Sequence, residues 1–327
     1  MMSHQVACLD VWAPAVRAAV RQAAPADFEL SFADSYEPAH QSALAGQADF
    51  LVPGFASVDA AMVEAAPRLR MVQKWGIGID AIDQAALRRR GIALGIASGC
   101  NAGPVAELAV ALMLAVYRRI PYVNRVMREG QWPTPEMRET CWQISGKTVG
   151  LVGFGHIGRM LARRLAGFDA RIVYFDPQRA DAAVESKLNA SPLPLDELLA
   201  TSDIVSLHLP LNAQTAHLID AGQIARIKDG AVLINTARGG LVDEAALADA
   251  LRCGKLRGAG LDAFEAEPLP ATSPLLALEQ VVLTPHAGGG VFDNVAPVAR
   301  HVFGNLQRFI QGQPLPPGDL VIAGAAA

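Results

Sequence analysis

Short apolar runs recur along this chain, separated by polar stretches whose apolar positions carry helical spacing. Such runs are buried strands, and the helical stretches between them lay one face on the sheet. Residues 6–9, 28–32, 48–52, 69–74 and 92–96 read as strands, with helices at 14–21 and 59–66. That alternation predicts a small α/β domain whose parallel sheet is covered on both faces. The pattern stops at Ala97-Ser98-Gly99-Cys100-Asn101-Ala102-Gly103-Pro104, which reads as a domain boundary. Pro104 suits the first turn of a helix, and 105–120 is a long, mostly apolar helix with Glu107 in its first turn. A helix so apolar needs cover on more than one side, from a second domain or a second subunit. Residues 124–144 hold Trp132, Pro133, Pro135 and Trp142 and read as irregular, either an arm suited to a protein interface or a surface loop. Strands resume at 148–152, 171–175, 204–207, 231–235, 258–261 and 281–283, with helices at 157–165 and 243–252. A last helix at 293–311 crosses back to the first domain, and the Pro- and Ala-rich tail from 312 reads as weakly ordered.

A length of 327 residues is enough for two domains of ordinary size. At 51% apolar and 18% charged residues, the composition is globular with ample core, not disordered. A net charge of −4 gives no reason to expect nucleic acid or an anionic membrane as partner, and Arg88-Arg89-Arg90 reads as a solvated helix end. The apolar run 108–117 is too short to span a bilayer. Cys8, Cys100, Cys141 and Cys253 are scattered without C-x-x-C spacing, so no metal site is expected. Reduced thiols fit a cytoplasmic protein, and residues 1–12 lack the basic-then-apolar pattern of a signal peptide.

The stretch 147–158, KTVGLVGFGHIG, carries the strongest chemical signal. A β-branched strand runs into Gly153, Gly155 and Gly158, and helical spacing continues from Ile157. The first glycine allows the tight turn, the second lets backbone approach a pyrophosphate, and the third lets helix and strand pack closely. The pyrophosphate would sit on the free N–H groups of the helix start, at His156 and Ile157. Asp176 ends the next strand, eighteen residues after Gly158, where a carboxylate meets the adenosine ribose hydroxyls. Such an acid repels the 2′-phosphate of NADP, so NAD is the expected cofactor; Arg179 nearby could soften that preference.

Polar residues follow the later strands directly, and parallel strands present those ends along one edge. Gly76-Ile77-Gly78 reads as an anion-binding backbone loop or as an ordinary strand-to-helix connection. Arg238 offers a fork for a carboxylate, or is a structural arginine pairing an acid at a helix start. Glu267 is a functional acid or a solvated loop residue. His286, before the glycine run 288–290, is an acid–base or a histidine satisfied by backbone carbonyls.

Taken together, these residues make the chain resemble the D-2-hydroxyacid dehydrogenase family. The matching motifs are Gly76-Ile77-Gly78-Ile79-Asp80, Asn101 with Val105-Ala106-Glu107, Gly153-Phe154-Gly155-His156-Ile157-Gly158, His208-Leu209-Pro210-Leu211 with Thr215, Asn235-Thr236-Ala237-Arg238-Gly239, Gly260-Leu261-Asp262 through Glu267-Pro268, and Thr284-Pro285-His286. The resemblance implies an α/β fold of two Rossmann-like domains with parallel sheets, the cofactor domain inserted into the substrate domain. Residues 1–99 and 290–327 would form a flavodoxin-like substrate-binding domain, and 100–289 the NAD-binding domain, with the active site between them. It implies catalytic roles for Arg238 on the substrate carboxylate and carbonyl, for His286 as acid–base, and for Glu267 as its partner. Cofactor contacts would come from Gly153, Gly155, His156, Ile157, Gly158, Asp176, His208, Pro210, Thr215, Thr236, Ala237, Asp262, His286 and Gly288. Substrate contacts would come from Phe55, Lys74, Gly76, Ile77, Gly78, Arg238 and His286. A homodimer built through the cofactor domain is implied as well.

The implied substrate is a small 2-oxo or 2-hydroxy acid of the glyoxylate or hydroxypyruvate kind. Phosphoglycerate dehydrogenase is the runner-up, disfavoured because Pro53-Gly54-Phe55 stands where the family has a more polar loop and lacks the cations a phosphate needs. A phenylalanine there fits a partly apolar substrate or a tight pocket for a small one. Lys74 either adds an anion contact or points to solvent. A formate dehydrogenase would carry glutamine at Glu267, and a non-enzymatic NAD(H)-sensing protein of the same fold is the alternative of a different class.

Overall fold

The computed structural model describes residues 3–324. The chain divides into two compact units, Met1–Asn101 with Gly290–Ala327, and Ala102–Gly289. The first unit holds β1 (His4–Cys8), β2 (Phe28–Phe32), β3 (Phe50–Val52), β4 (Met71–Gln73), β5 (Ala93–Gly95) and the chain's last strand, β13 (Leu320–Ile322). Their order is β13-β5-β4-β3-β1-β2, parallel throughout except for β13 on β5. The order reverses between β1 and β3, so the topological switch point lies at the ends of those two strands. The helix Val295–Ile310 lays Val298, Val302, Phe303 and Leu306 on the face carrying Phe28 and Phe50. Leu9, Leu51, Val63 and Leu87 fill the opposite face.

The second unit is a seven-stranded parallel sheet. It comprises β6 (Thr148–Val152), β7 (Arg171–Phe175), β8 (Ala190–Pro192), β9 (Ile204–Leu207), β10 (Ala231–Asn235), β11 (Leu256–Leu261) and β12 (Val281–Leu283), in the order β12-β11-β10-β9-β6-β7-β8. The switch point here falls between β6 and β9. Both faces are covered, so the central strands read as continuous apolar runs.

Several local readings change. The apolar helix spans Ala102–Tyr117 and has no acid in its first turn; Glu107 instead pairs with Arg164 at 2.7 Å. The helix finds cover inside its own unit, where Ala106, Ala109, Leu112 and Met113 share a core with Val149, Leu151 and Ile234. The stretch read as irregular contains helices Ile120–Arg128 and Thr134–Thr140. Pro121 and Pro135 sit at the first turns of these helices, where a missing N–H costs nothing. The tail is tied down by β13 and by Asp319, 1% exposed, which accepts from Ser98 N at 3.1 Å and Asn305 Nδ2 at 2.9 Å and pairs with His301 at 2.5 Å. Arg90 is not solvated at its tip: its guanidinium donates to the carbonyls of Val63 and Ala66.

Candidate active site

At the second unit's switch point, Gly153 follows β6 with φ +100°, a conformation L side chains rarely adopt. A Cβ there would also meet the His208 carbonyl at the end of β9, so only glycine passes between the two strand ends. The helix His156–Leu165 starts at once, capped by Gly155 without a side-chain hydrogen bond. Its first N–H groups and the positive end of its dipole therefore remain for an anion. A Cβ at Gly155 would meet nothing, so the space over the turn is open, whereas one at Gly158 would strike the Gly153 carbonyl.

Asp176 sits at this turn. Its Oδ2 accepts from Phe154 N at 2.8 Å and its Oδ1 from Gln178 N at 2.9 Å. Each carboxylate oxygen retains a second lone pair for a ribose hydroxyl. Arg179, the cation that could have softened NAD preference, is held by Glu185 at 2.9 and 3.0 Å. The Arg179 hydrogen bond, helped by the Tyr174 hydroxyl, pulls the Glu185 carboxyl down to about 2.

Further along the edge, Thr215 Oγ1 donates to the Pro210 carbonyl at 2.7 Å and accepts from Asn212 N at 2.9 Å, closing the turn after β9. Ser206 Oγ lies 2.9 Å from His208 Nε2, and burial pushes the His208 imidazole down to about 3, so the ring is neutral. Among the described residues, His208 Nδ1 and Thr236 Oγ1 are buried without a hydrogen-bond partner. Orphaned polar atoms beside an open glycine turn and an uncapped helix start fit a dinucleotide, which brings its own donors and acceptors.

The ends of β10, β11 and β12 bring together the reactive side chains. Asn235, the last residue of β10, donates from Nδ2 to the Arg238 carbonyl at 2.8 Å and accepts from Ala237 N at 3.0 Å, fixing the arginine's turn. Arg238 Nη1 donates to the Ala237 carbonyl at 2.7 Å. A Cβ at Gly239 would collide with the Phe264–Glu265 peptide, so the arginine's turn rests directly on the glutamate's loop. Glu267 Oε1 accepts from Phe264 N at 3.0 Å, and Oε2 lies 2.8 Å from His286 Nδ1. Burial pushes the Glu267 carboxyl up, but His286, the Phe264 N–H and the Arg238 charge together outweigh it, and the net effect is downward.

His286 has φ 52°, in the left-handed region, and Asp262 holds it there. Asp262 is 1% exposed and accepts from Thr284 Oγ1 at 2.6 Å, Ala287 N at 2.8 Å and Gly288 N at 2.9 Å, clasping the peptide on both sides of the histidine. Asn235 and Thr284 are positioning residues whose function the sequence pattern did not single out. Their signal was available, since Asn235 ends a buried strand and Thr284 follows a short apolar one.

Phe55, Lys74, Gly76, Ile77 and Gly78 lie in the first unit, after β3 and β4. Lys74 Nζ donates to the Gly54 carbonyl, so it braces the neighbouring loop. Gly76 has φ +121° with open space where a side chain would stand.

A parallel sheet in this order, with a glycine turn and helix start at its switch point, is the dinucleotide-binding fold of oxidoreductases. Residues 110–288 match the family model "D-isomer specific 2-hydroxyacid dehydrogenase, NAD binding domain", and the chain belongs to that family. It is an NAD-dependent oxidoreductase acting on D-2-hydroxy acids. It is 42% identical over 262 residues to a glyoxylate reductase of Korarchaeum cryptofilum, covering 80% of this chain and 78% of that one. It is 45% identical over 238 residues to a D-3-phosphoglycerate dehydrogenase of Mycobacterium tuberculosis, covering 73% of this chain but only 44% of that protein. An NAD-dependent formate dehydrogenase of Staphylococcus aureus, solved with NAD, superposes with TM-score 0.86 at 26% identity, covering 98% of this chain and 100% of that one. No helix among the described residues is long and apolar enough to cross a membrane.

Proposed function

We propose that this chain reduces small 2-oxo acids of the glyoxylate or hydroxypyruvate kind to D-2-hydroxy acids, with Arg238, Glu267 and His286 carrying the chemistry. The observation behind this reading is the 2.8 Å His286–Glu267 pair, at the end of β12, with the Arg238 charge acting on the same carboxylate. Arg238 takes the substrate carboxylate as a forked, charge-assisted pair and steadies the carbonyl beside it. Nicotinamide, when bound, supplies or accepts the hydride at C2. Protonated His286 donates its proton to the oxygen that gains charge during reduction, and neutral His286 takes the hydroxyl proton in oxidation. The Glu267 contact commits Nδ1, which leaves proton transfer to Nε2.

Gly153, Gly155, His156, Ile157, Gly158, Asp176, His208, Pro210, Thr215, Thr236, Ala237, Asp262 and Gly288 are proposed to hold the dinucleotide. Phe55, Lys74, Gly76, Ile77 and Gly78 are proposed on the substrate side, which makes Met1–Asn101 with Gly290–Ala327 the substrate unit and Ala102–Gly289 the cofactor unit. Loss of NADH absorbance with glyoxylate and hydroxypyruvate tests the reaction, and no turnover of either overturns it.

A homodimer through the second unit is part of the same proposal. It is supported by Ile120, Met127 and Trp132, exposed by 53%, 40% and 76% on and after one helix of that unit. Light scattering giving the mass of a single chain would remove it. A cytoplasmic location is proposed from the scattered free thiols.

A further inference from the structure

Glu267 sits in a loop that has no ladder to hold it. Among the described residues, no backbone–backbone hydrogen bond reaches 263–269, the stretch that follows β11. Two amides of this loop donate, and both donate to carboxylates. Phe264 N donates to Glu267 Oε1 at 3.0 Å, inside the loop, and Glu265 N donates to Glu244 Oε1 at 2.7 Å, outside it. The second bond is returned, since Glu244 N donates to Glu265 Oε1 at 3.3 Å. Glu244 opens the helix Glu244–Arg252, whose start is fixed by Asp243 accepting from Ala246 N at 2.9 Å. A tether therefore runs from a regular element to the residue two before Glu267. Glu265 Oε1 also lies 3.0 Å from His217 Nε2, and His217 N donates to the Gly240 carbonyl at 2.8 Å, beside the Arg238 turn. An exposed pair such as His217–Glu265 is worth little by itself, so the Glu244 contact is the principal hold. Burial pushes the half-buried Glu244 carboxyl up, and the charges of Glu265 and Glu267 add to that push against the Glu265 N–H. Like charges repel, so charge does not draw the loop to Glu244. The paired amide bonds keep it there against that repulsion.

We propose that Glu244 is a positioning residue for Glu267: by binding the Glu265 amide it sets the loop so that Glu267 meets His286 at hydrogen-bond distance. This rests on the proposed function, in which that pair carries the proton transfer, and adds a residue on which the pair depends. Every group involved belongs to the second unit. Without the tether, the Glu267 side chain holds only an amide of its own loop, and loop and carboxylate drift together. A displacement of about 1 Å in a group that must meet its partner can cost on the order of 10²-fold in rate. Glu244 acts through the placement of Glu267 and not through its own charge, so what matters is an oxygen at the right reach from the helix start.

The test is steady-state kinetics with NADH and whichever of glyoxylate and hydroxypyruvate wild type turns over faster. Glu244→Ala should lower kcat about ten- to a hundredfold, with KM for the 2-oxo acid and for NADH near the wild-type values. Glu244→Gln keeps an oxygen for the Glu265 amide and should retain most of the wild-type kcat. Glu244→Asp keeps the charge at the helix start but is one carbon too short, and should be slow like the alanine variant. In Glu267→Ala no carboxylate is left to place, so adding Glu244→Ala should cost nothing further. An unchanged kcat in Glu244→Ala overturns the inference, as do multiplying losses in the double variant or a Glu244→Gln as slow as Glu244→Ala. Where Glu244→Ala does not fold, Glu244→Asp decides, and a wild-type kcat there overturns the inference in the same way. A slow Glu267→Ala beside a normal Glu244→Ala removes this inference alone. A Glu267→Ala with wild-type kcat, or no turnover of either acid by wild type, instead overturns the proposed function and takes the positioning role down with it.

Discussion

Glu267 and His286 are nineteen residues apart in sequence and 2.8 Å apart in the fold. Burial pushes the Glu267 carboxyl up, and the hydrogen bonds and charges around it reverse that. The carboxylate in turn fixes the imidazole through Nδ1. In reduction the proton donor is lost as pH rises, so kcat/KM should fall at high pH. Glu267→Gln keeps shape and one hydrogen bond but removes the charge beside the proton donor, so kcat should fall with KM near the wild-type value. Kinetics of both enzymes on one substrate check this, and equal kcat would mean the glutamate does not govern the histidine. His286→Ala should cost about 10²–10⁴-fold in turnover with little change in NADH affinity, since general acid–base catalysis has that size. Asp176 makes a second case. With Arg179 committed to Glu185, it offsets less of the Asp176 carboxylate's repulsion of a 2′-phosphate. NADH should therefore give a higher kcat/KM than NADPH, and equal values would refute the assignment.

Between residue and sheet stands the loop from Thr284 to Gly288, held in a left-handed turn by one buried acid. Asp262→Ala leaves Thr284 Oγ1, Ala287 N and Gly288 N without their acceptor. Of these donors Gly288 N is the buried one, and an unmet buried donor costs about 1–3 kcal/mol, so the melting temperature should drop while turnover falls through a misplaced histidine. Circular dichroism melts beside kcat measurements separate the two effects, and an enzyme unchanged in both would contradict the role. The elements that the sequence misjudged share a cause. β8 is a short edge strand with one buried residue, and Thr134–Thr140 buries none, so neither carries periodicity to read. Central strands such as β10, buried at every position, read plainly.

For the whole molecule, acid is the informative stress. Burial holds the half-buried His208 ring neutral, with Nδ1 shielded from water, and lowers its pKa from the ordinary 6.5 to about 3. The unfolded chain binds a proton there below about pH 6.5 and the folded one does not, so stability falls as pH drops through that window. Each tenfold loss of proton affinity is worth about 1.4 kcal/mol, which places the full effect on the order of 4 kcal/mol by pH 3. The loss of melting temperature between neutral pH and about pH 4 should be larger in wild type than in His208→Gln, without cofactor. Identical slopes would show that His208 is not a source of acid lability.

The strand and helix rhythm, the glycine turn and the ordered polar residues after each strand were determined by the sequence alone. They are local facts: periodicity, backbone permissiveness and spacing survive in one dimension. The family followed from their order. What needed the tertiary structure were contacts between distant strand ends. Asp10 reads as an unremarked acid until the β1–β3 neighbourhood brings Gly54, Phe55 and Ala56 to it, more than forty residues away. Arg179 reads as a cation near the cofactor until Glu185 is seen to hold it. Lys74 reads as an anion contact or as a solvated cation, and only the fold sets its ammonium on the Gly54 carbonyl. A side chain's type is written in the chain, but which partner neutralises it depends on which strands the sheet places side by side.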